Sequence, residues 1–454
     1  MATAEPVVKP ERVAVAILSW NGRQHLETCL AALANQKDPG VPWEILVLDN
    51  GSSDGTAEWL RRVYPRVRLI ESPTNLGFCA GNNQLMSVAS ADAVALLNND
   101  TRPRADWLVA LVDAFAAAPK DVAAVSGMIV DWSGERLDFG RGLMTFDGHA
   151  LQDGFRRPLA EAEIPAAGSE LLFPCGGNVL IRRESFLAAG GFDESYFAYY
   201  EDVDLGWRLW SGGERVLFTP EAVVHHRSSA TSDLLGLYNR GFLFERNAFL
   251  TAYKNYESGL WERMMPAILL TLISRTQTLV VENNPGGRLL ALDPYDGHIA
   301  DTARTSPRGA ADPVTPVAPV VPQLSLAEKW RAYGPAEFVR RGWRKAWSGA
   351  GAKGSPSDPA WATPTINDDR TQAQFRVMNF LLRHLEAAAG ARAVVQKRRQ
   401  RSDREIFSRF PLVLVPTYPG DDRLFRDPGF NTWLPADVPL RRLALGDVMD
   451  LGGG

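Results

Sequence analysis

The stretch Val94–Thr101, reading VALLNNDT, decides how the chain is read. Val94, Ala95, Leu96 and Leu97 form an apolar run with the length and composition of a buried strand. The run stops abruptly at Asn98, Asn99 and Asp100. Asn and Asp after a strand are also ordinary turn residues. A buried strand that delivers a carboxylate at its C-terminal end fits the rule for open α/β sheets, in which ligands bind beyond the strand ends. A single carboxylate there suits a hard divalent cation that keeps positions open for phosphate oxygens.

The pattern around this stretch alternates strands and helices. Val13–Leu18, Trp43–Asp49 and Val67–Glu71 read as strands, with helices at His25–Asn35, Thr56–Tyr64 and Asn82–Ala89. Beyond it come a helix at Asp106–Ala118 and a strand at Val122–Val130, then a glycine-rich run from about Glu135 to Glu170 read as loops and a hairpin. A strand at Gly177–Arg182, helices at Glu184–Ala189 and Glu201–Ser211, and strands at Arg215–Thr219 and Ala222–His226 follow. After Ser232 the pattern turns helical, at Leu234–Tyr256 and Gly259–Thr278. Repeated β-α-β spacing predicts an α/β fold with a mostly parallel sheet and helices on both faces. Right-handed crossovers then gather the strands' C-terminal ends on one rim.

With 454 residues, 45% of them hydrophobic, the chain can build two or three domains with proper cores. A formal charge of -4 argues against a general nucleic-acid binder. Cys29, Cys79 and Cys175 lie far apart without metal-type spacing, so they read as reduced thiols of a cytoplasmic protein. The opening residues lack the apolar core of a signal peptide. Met264–Val281 is the best membrane candidate, but Arg275, Thr276 and Gln277 make it too polar to span. Ala303–Pro322 and Gly349–Thr365 read as Pro/Ala/Gly-rich linkers. The expected organisation is a catalytic domain over 1–255, a helical extension over 256–302, a linker over 303–323 and a basic, mainly helical region over 324–454. Between Ser325 and Phe410, 17 Lys and Arg face 8 Asp and Glu. That excess reads either as a solvated helix surface or as a contact for anionic lipid or a phosphate-bearing acceptor. Trp330, Tyr333, Phe338, Trp343 and Trp347 could anchor at a membrane interface or pack a small helical core.

Several segments carry chemistry-bearing residues. Asp49 ends a strand in VLDNGSSDGT, where it can accept hydrogen bonds from a pyrimidine N–H or simply cap the turn. Asn75–Asn83, NLGFCAGNN, puts a glycine loop at a helix start, which lets backbone approach a phosphate. Tyr199–Arg208, YYEDVDLGWR, crowds Glu201, Asp202 and Asp204 into a helix start. The helix dipole alone stabilises acids there. Their mutual repulsion also suits proton abstraction or polar binding. Ala222–His226, AVVHH, ends another strand in two histidines, of which a strand can turn only one to a given face.

Taken together and in order, ILSWNG, VLDNGSSDGT, NLGFCAGNN, LLNNDT, CGGNVLIRRESFLAAGGFDE, YYEDVDLGWRL and AVVHH resemble the inverting, nucleotide-sugar-dependent glycosyltransferases of the GT-A fold. The nearest branch is the bacterial rhamnosyltransferase-like one. The likeness covers about Arg12–Asn255 and does not extend to the last 150 or so residues. The resemblance implies Ser19, Asn21 and Asp49 around the nucleotide and Asn75 beside the diphosphate. It places Asn98-Asn99-Asp100 at the family's Asp-x-Asp motif, with Asp100 on Mg²⁺ or Mn²⁺ and Asn98 and Asn99 near the donor. It assigns His225, with His226 the weaker choice, as a second metal ligand, Asp202 as catalytic base, and Glu201 and Asp204 to the acceptor. It further implies a cytoplasmic enzyme at the inner membrane face, adding a sugar to a glycan or polyprenyl-linked acceptor of cell-surface polysaccharide. Two readings compete: an inactive glycan- or nucleotide-binding subunit, and a sugar-nucleotide nucleotidyltransferase. Intact Asp100, Asp202 and His225 speak against the first. Val13–Gln24, with one Gly and no basic cluster, speaks against the second.

Overall fold

The computed structural model describes residues 9–227, 236–283 and 369–451. The apolar runs become a sheet whose central path is β10-β12-β6-β11-β4-β1-β2-β3. β1 (Val13–Ser19) pairs in parallel with β2 (Trp43–Asn50) and β4 (Ala93–Leu97), and β2 with β3 (Arg68–Ser72). Helices α1 (Arg23–Ala34), α2 (Thr56–Val63) and α3 (Gly77–Val88) make the crossovers. Each central strand is buried on both faces, which explains why Val13–Ile17 and Ala93–Leu97 are unbroken apolar runs rather than alternating ones. The helix at Asn82 starts earlier than its apolar pattern suggests, at Gly77. Gly81 reads as a breaker, yet it sits inside α3 because a Cβ there would lie 2.5 Å from Leu18 Cδ1.

β5 (Thr101–Pro103), α4 (Trp107–Ala117) and β6 (Val122–Asp131) follow β4. β7 (Leu137–Phe139) joins β6, while β8 (Arg141–Met144) and β9 (Ala150–Asp153) form the expected hairpin. β10 (Glu170–Leu171) lies at one end of the sheet. β11 (Asn178–Arg182) runs antiparallel between β4 and β6. α5 (Arg183–Ala188) and α6 (Glu201–Ser211) lead to β12. The two strands read at 215–219 and 222–226 are one strand, β12 (Arg215–His226), with a register shift between Thr219 and Val223. Fully buried Asn178 satisfies that irregularity: its amide donates to Ala222 O at 2.9 Å and Met128 O at 3.0 Å, and its carbonyl accepts from Trp107 Nε1 at 2.8 Å.

The described residues up to 279 and those from 369 to 451 form one compact unit, so α7 (Gly236–Asn255), most of α8 (Ser258–Asn283) and the C-terminal segment belong with the sheet. Both linkers and the aromatics from Trp330 to Trp347 lie outside the described residues. α9 (Asp369–Arg398) packs along α7. Its last turn and the residues after it satisfy carbonyls at and just past the end of α7. Gln396 Nε2 donates to Lys254 O and Tyr256 O at 3.1 Å, and Arg399 donates to Asn255 O. Arg401 donates to Gly213 O at 2.7 Å and Glu214 O at 2.8 Å. Part of the basic excess thus works inside the fold. Arg275, the residue that interrupts the apolar run in α8, is buried among acids from three segments. It meets Asp147 at 2.9 Å, Glu245 at 3.5 Å and Asp421 at 2.9 Å. Among the described residues no helix is long and apolar enough to cross a membrane.

Candidate active site

β1 lies between β2 and β4, so consecutive crossovers leave it in opposite directions. A crevice opens beyond the strand ends at such a switch point. A cavity of about 640 Å³ lies there. Asn98, Asn99 and Asp100 line it from the end of β4, and Asn50 and Asn75 from the neighbouring crossover. Asn50 was not singled out in the sequence, although it follows Asp49 directly. Its amide donates to Asn75 Oδ1 at 2.9 Å and its carbonyl accepts from Leu76 N at 2.9 Å, pinning the glycine loop to the sheet rim. Asn99 Nδ2 donates to Ser19 Oγ at 3.1 Å.

Ser19, Asn21 and Asp49 stand behind this wall rather than on it. Asn21 accepts from Ser53 N at 2.8 Å, its own N–H donates to Ser52 Oγ at 2.8 Å, and Asp49 Oδ1 accepts from Ser52 N at 3.3 Å. Together they hold the Ser52–Ser53 turn. Asn21 and Asp49 are thus engaged with that turn, and Ser19 with Asn99.

Of the two histidines, the structure places His226, and not His225, beside Asp100. β5 pairs antiparallel with the end of β12, opposing His226 to Thr101 and His225 to Arg102. This puts His226 Nε2 3.4 Å from Asp100 Oδ1, with Nδ1 2.7 Å from Asp138 Oδ2. His225 turns the other way and packs its Cε1 against Gly134. Alternation correctly separates the two rings. The irregularity after Thr219 sets which face each takes, and the local pattern does not report that phase. Burial alone would lower the His226 pKa, but the flanking Asp100 and Asp138 carboxylates push it up to about 10. Burial raises the Asp100 pKa, and the His226 contact outweighs it, leaving the carboxyl below its ordinary value.

At the head of α6, Asp202 lines the cavity beside Glu201. Asp202 Oδ2 accepts from Gly176 N at 3.0 Å and Oδ1 from Val203 N at 2.9 Å. Glu201 is 7% exposed, and its Oε2 meets no hydrogen-bond partner. Burial, then the neighbouring Asp202, pushes the Glu201 pKa well above the carboxylate range. Burial also raises Asp202, but two backbone donors favour its charged form. The two amides thus favour the ionised form at Asp202, whereas no donor meets Glu201 Oε2. The loop leading into α6 is strained: Phe197, Tyr199 and Tyr200 all have φ between 64° and 71°. Left-handed backbone at such residues costs on the order of 1–3 kcal/mol each and persists only where the surroundings over-determine it. Asn247 of α7 does this, donating to Tyr196 O at 3.2 Å, Ala198 O at 2.8 Å and Tyr199 O at 2.7 Å.

Asp204 does not reach the cavity. It is fully buried, 2.7 Å from Arg208, 2.9 Å from Lys254 and 2.8 Å from Asn255 Nδ2. About one helical turn from the cavity end of α6, it ties α6 to α7 through Lys254 and Asn255. Asp138, beside His226, carried no sequence signal.

The comparisons with known proteins agree with this architecture. The family model described as "Glycosyl transferase family 2" matches residues 14–188. The N-acetylglucosaminyl-diphospho-decaprenol L-rhamnosyltransferase of Mycobacterium tuberculosis is 32% identical over 238 residues, 48% of this chain and 76% of that protein. The succinoglycan biosynthesis protein ExoA of Rhizobium meliloti is 27% identical over 209 residues, 45% of this chain and 60% of that one. Among solved structures, GalNAc-T7 with UDP, GalNAc and Mn²⁺ aligns at a TM-score of 0.44 and 14% identity, covering 59% of this chain and 51% of that one. The matched core, the switch-point cavity and the 32% identity across three quarters of the mycobacterial enzyme place this chain in glycosyl transferase family 2.

Proposed function

We propose that this glycosyltransferase moves a sugar, rhamnose by its likeness to the mycobacterial relative, from a nucleoside-diphosphate donor to a hydroxyl of an acceptor. The same likeness points to an N-acetylglucosaminyl diphospholipid or a related glycan acceptor in cell-surface polysaccharide synthesis. The observation that carries the reading is one cavity lined both by the Asp100 and His226 pair and by the ionisable Asp202 carboxylate.

Asp100 offers an oxygen and, 3.4 Å from it, His226 offers a ring nitrogen once an incoming cation displaces the proton shared with Asp100. Among the described residues no group of three such side chains is placed to hold a metal by itself. Asp100 and His226 would hold a Mg²⁺ or Mn²⁺ ion only together with the phosphates of a bound donor. Bound there, the ion supplies neutralising charge for the leaving diphosphate. Asn75, Asn98 and Asn99 orient the donor. Asp202, fixed by the Gly176 and Val203 amides, accepts the proton of the acceptor hydroxyl as its oxygen attacks the anomeric carbon. A single displacement inverts that carbon, so no second carboxylate nucleophile is required. Exposed Leu382 and Leu385, with Arg383 between them on α9, support peripheral contact with an anionic membrane at its cytoplasmic face.

The test is a screen of nucleotide-diphosphate sugars for release of free nucleoside diphosphate in the presence of Mn²⁺. One donor is expected to be hydrolysed slowly without acceptor and rapidly with it. Asp100→Ala is expected to abolish both reactions while keeping a wild-type circular dichroism spectrum. Turnover by Asp100→Ala at the wild-type metal requirement would remove Asp100 from the site.

A further inference from the structure

Part of the cavity wall lies far beyond the matched family core. Thr417, Tyr418 and Met449 of the C-terminal segment line it, near His149, Tyr200 and Glu201. The backbone N–H groups of Thr417 and Tyr418 donate to Asp421 Oδ2 at 3.2 and 3.0 Å. Asp421 in turn accepts two hydrogen bonds from Arg275, both 2.9 Å. The Tyr418 ring lies 4.4 Å from the Arg275 guanidinium and 5.8 Å from the His149 ring. This corner is thus fixed by buried charge pairs.

Within it, two buried atoms lack a hydrogen bond: His149 Nδ1, which faces Asp147 Oδ2 at 3.1 Å as an ion pair, and Thr417 Oγ1, which has no such charge beside it. Thr417 Oγ1 is shielded from solvent and meets no hydrogen-bond partner. Glu201 Oε2 on the same cavity is in the same condition. Buried polar atoms are nearly always satisfied, and exceptions ask for a missing partner. Two such atoms on one cavity, one beside the base and one on the C-terminal segment, ask for a ligand carrying hydroxyl groups. The aromatic rings of Tyr200, Phe244 and Phe155 offer that ligand apolar faces.

We propose that Thr417 Oγ1 and Glu201 Oε2 hydrogen-bond hydroxyl groups of the acceptor sugar, so that the Thr417–Tyr418 corner determines which acceptor is taken. The inference rests on the acceptor-transfer reading above. A hydroxyl at 417 can donate or accept, so it reads a sugar hydroxyl in either sense. Valine at 417 keeps the shape and loses both capacities.

The experiment uses the full chain, the donor identified by hydrolysis, and a synthetic N-acetylglucosaminyl diphosphoryl lipid with a short tail as acceptor. Thr417→Val is expected to raise the acceptor KM by about tenfold, the order expected for one lost hydrogen bond, with kcat changed far less. The donor Kd, measured by calorimetry without acceptor, should stay at the wild-type value, and Thr417→Ser should restore the acceptor KM. An unchanged acceptor KM in Thr417→Val overturns the proposal, as does a donor Kd that moves in step with it. If the wild-type enzyme hydrolyses donor but transfers to no such lipid, the acceptor reading itself fails and takes this inference with it.

Discussion

The wall proposed for the donor comes from Leu18, Trp20, Asn50, Asn75, Gly77, Phe78 and Asn98–Asp100, all within the first hundred residues and at or near strand ends. The wall proposed for the acceptor comes from the hairpin at Ala150–Phe155, the strained loop at Phe197–Tyr200, Phe244 on α7, and Thr417, Tyr418 and Met449. The first wall follows almost automatically from a parallel sheet, which gathers strand ends on one rim. The second has no such organiser. Long-range latches hold it instead: Asn247 grips three carbonyls of the 196–199 stretch, and Arg275 joins Asp147, Glu245 and Asp421. Asp100 is thus anchored to the sheet on one side, while the surroundings of the proposed base, Asp202, are assembled from distant segments on the other.

The base lies on the less regular wall, which gives the largest expected effect. Asp202→Asn is nearly isosteric and keeps hydrogen bonding, but it cannot accept a proton. Transfer should fall by roughly 10²–10⁴-fold, the usual loss for a general base. Donor and metal binding, which belong to the opposite wall, should survive in calorimetry. If Asp202→Asn transfers normally while Glu201→Gln collapses, the base is Glu201.

The two histidines test the donor wall next. His226→Ala should raise the metal concentration needed for half-maximal activity by at least about tenfold, the scale seen even for residues that merely support a ligand. His225→Ala should change it much less, because that ring packs against Gly134, away from Asp100. Equal shifts in a Mn²⁺ titration of both variants would break the assignment.

How far the sequence reveals each wall follows the same division. VALLNNDT and VLDNGSSDGT announce β4 and β2 and place Asp100 at a strand end, because apolar runs and turn residues are local signals. YYEDVDLGWR locates α6 and the Glu201–Asp202 pair. Asp204 shares that motif but points inward, since its role depends on Lys254 and Asn255 of another helix. The His225/His226 phase depends on a register shift absorbed by Asn178. Asp138 and Thr417 join the cavity only through tertiary packing. Arg275 reads locally as an interruption of an apolar helix, and its meaning lies in three acids contributed by other segments.

That arginine cluster supplies the smallest effect, one on stability rather than turnover. His149 lies 3.1 Å from Asp147 and 3.1 Å from Glu245, buried beside Tyr418. Burial alone would lower its pKa, but the two carboxylates outweigh this and hold it up at about 9, against an ordinary value of 6.5. A group whose folded pKa is raised binds its proton more tightly in the native state. It therefore stabilises fully below the unfolded value and loses that contribution as pH rises through the folded one. The His149 share of stability should be complete below about pH 6.5 and decline toward pH 9. His149→Gln should be less stable in urea at pH 6, and its difference from wild type should shrink between pH 6.5 and 9. Because other titrating groups are common to both proteins, the difference curve isolates this residue. A flat difference across that window would mean that the ring is neutral in the native state, and that the acceptor-side wall rests on the Arg275 pairs alone.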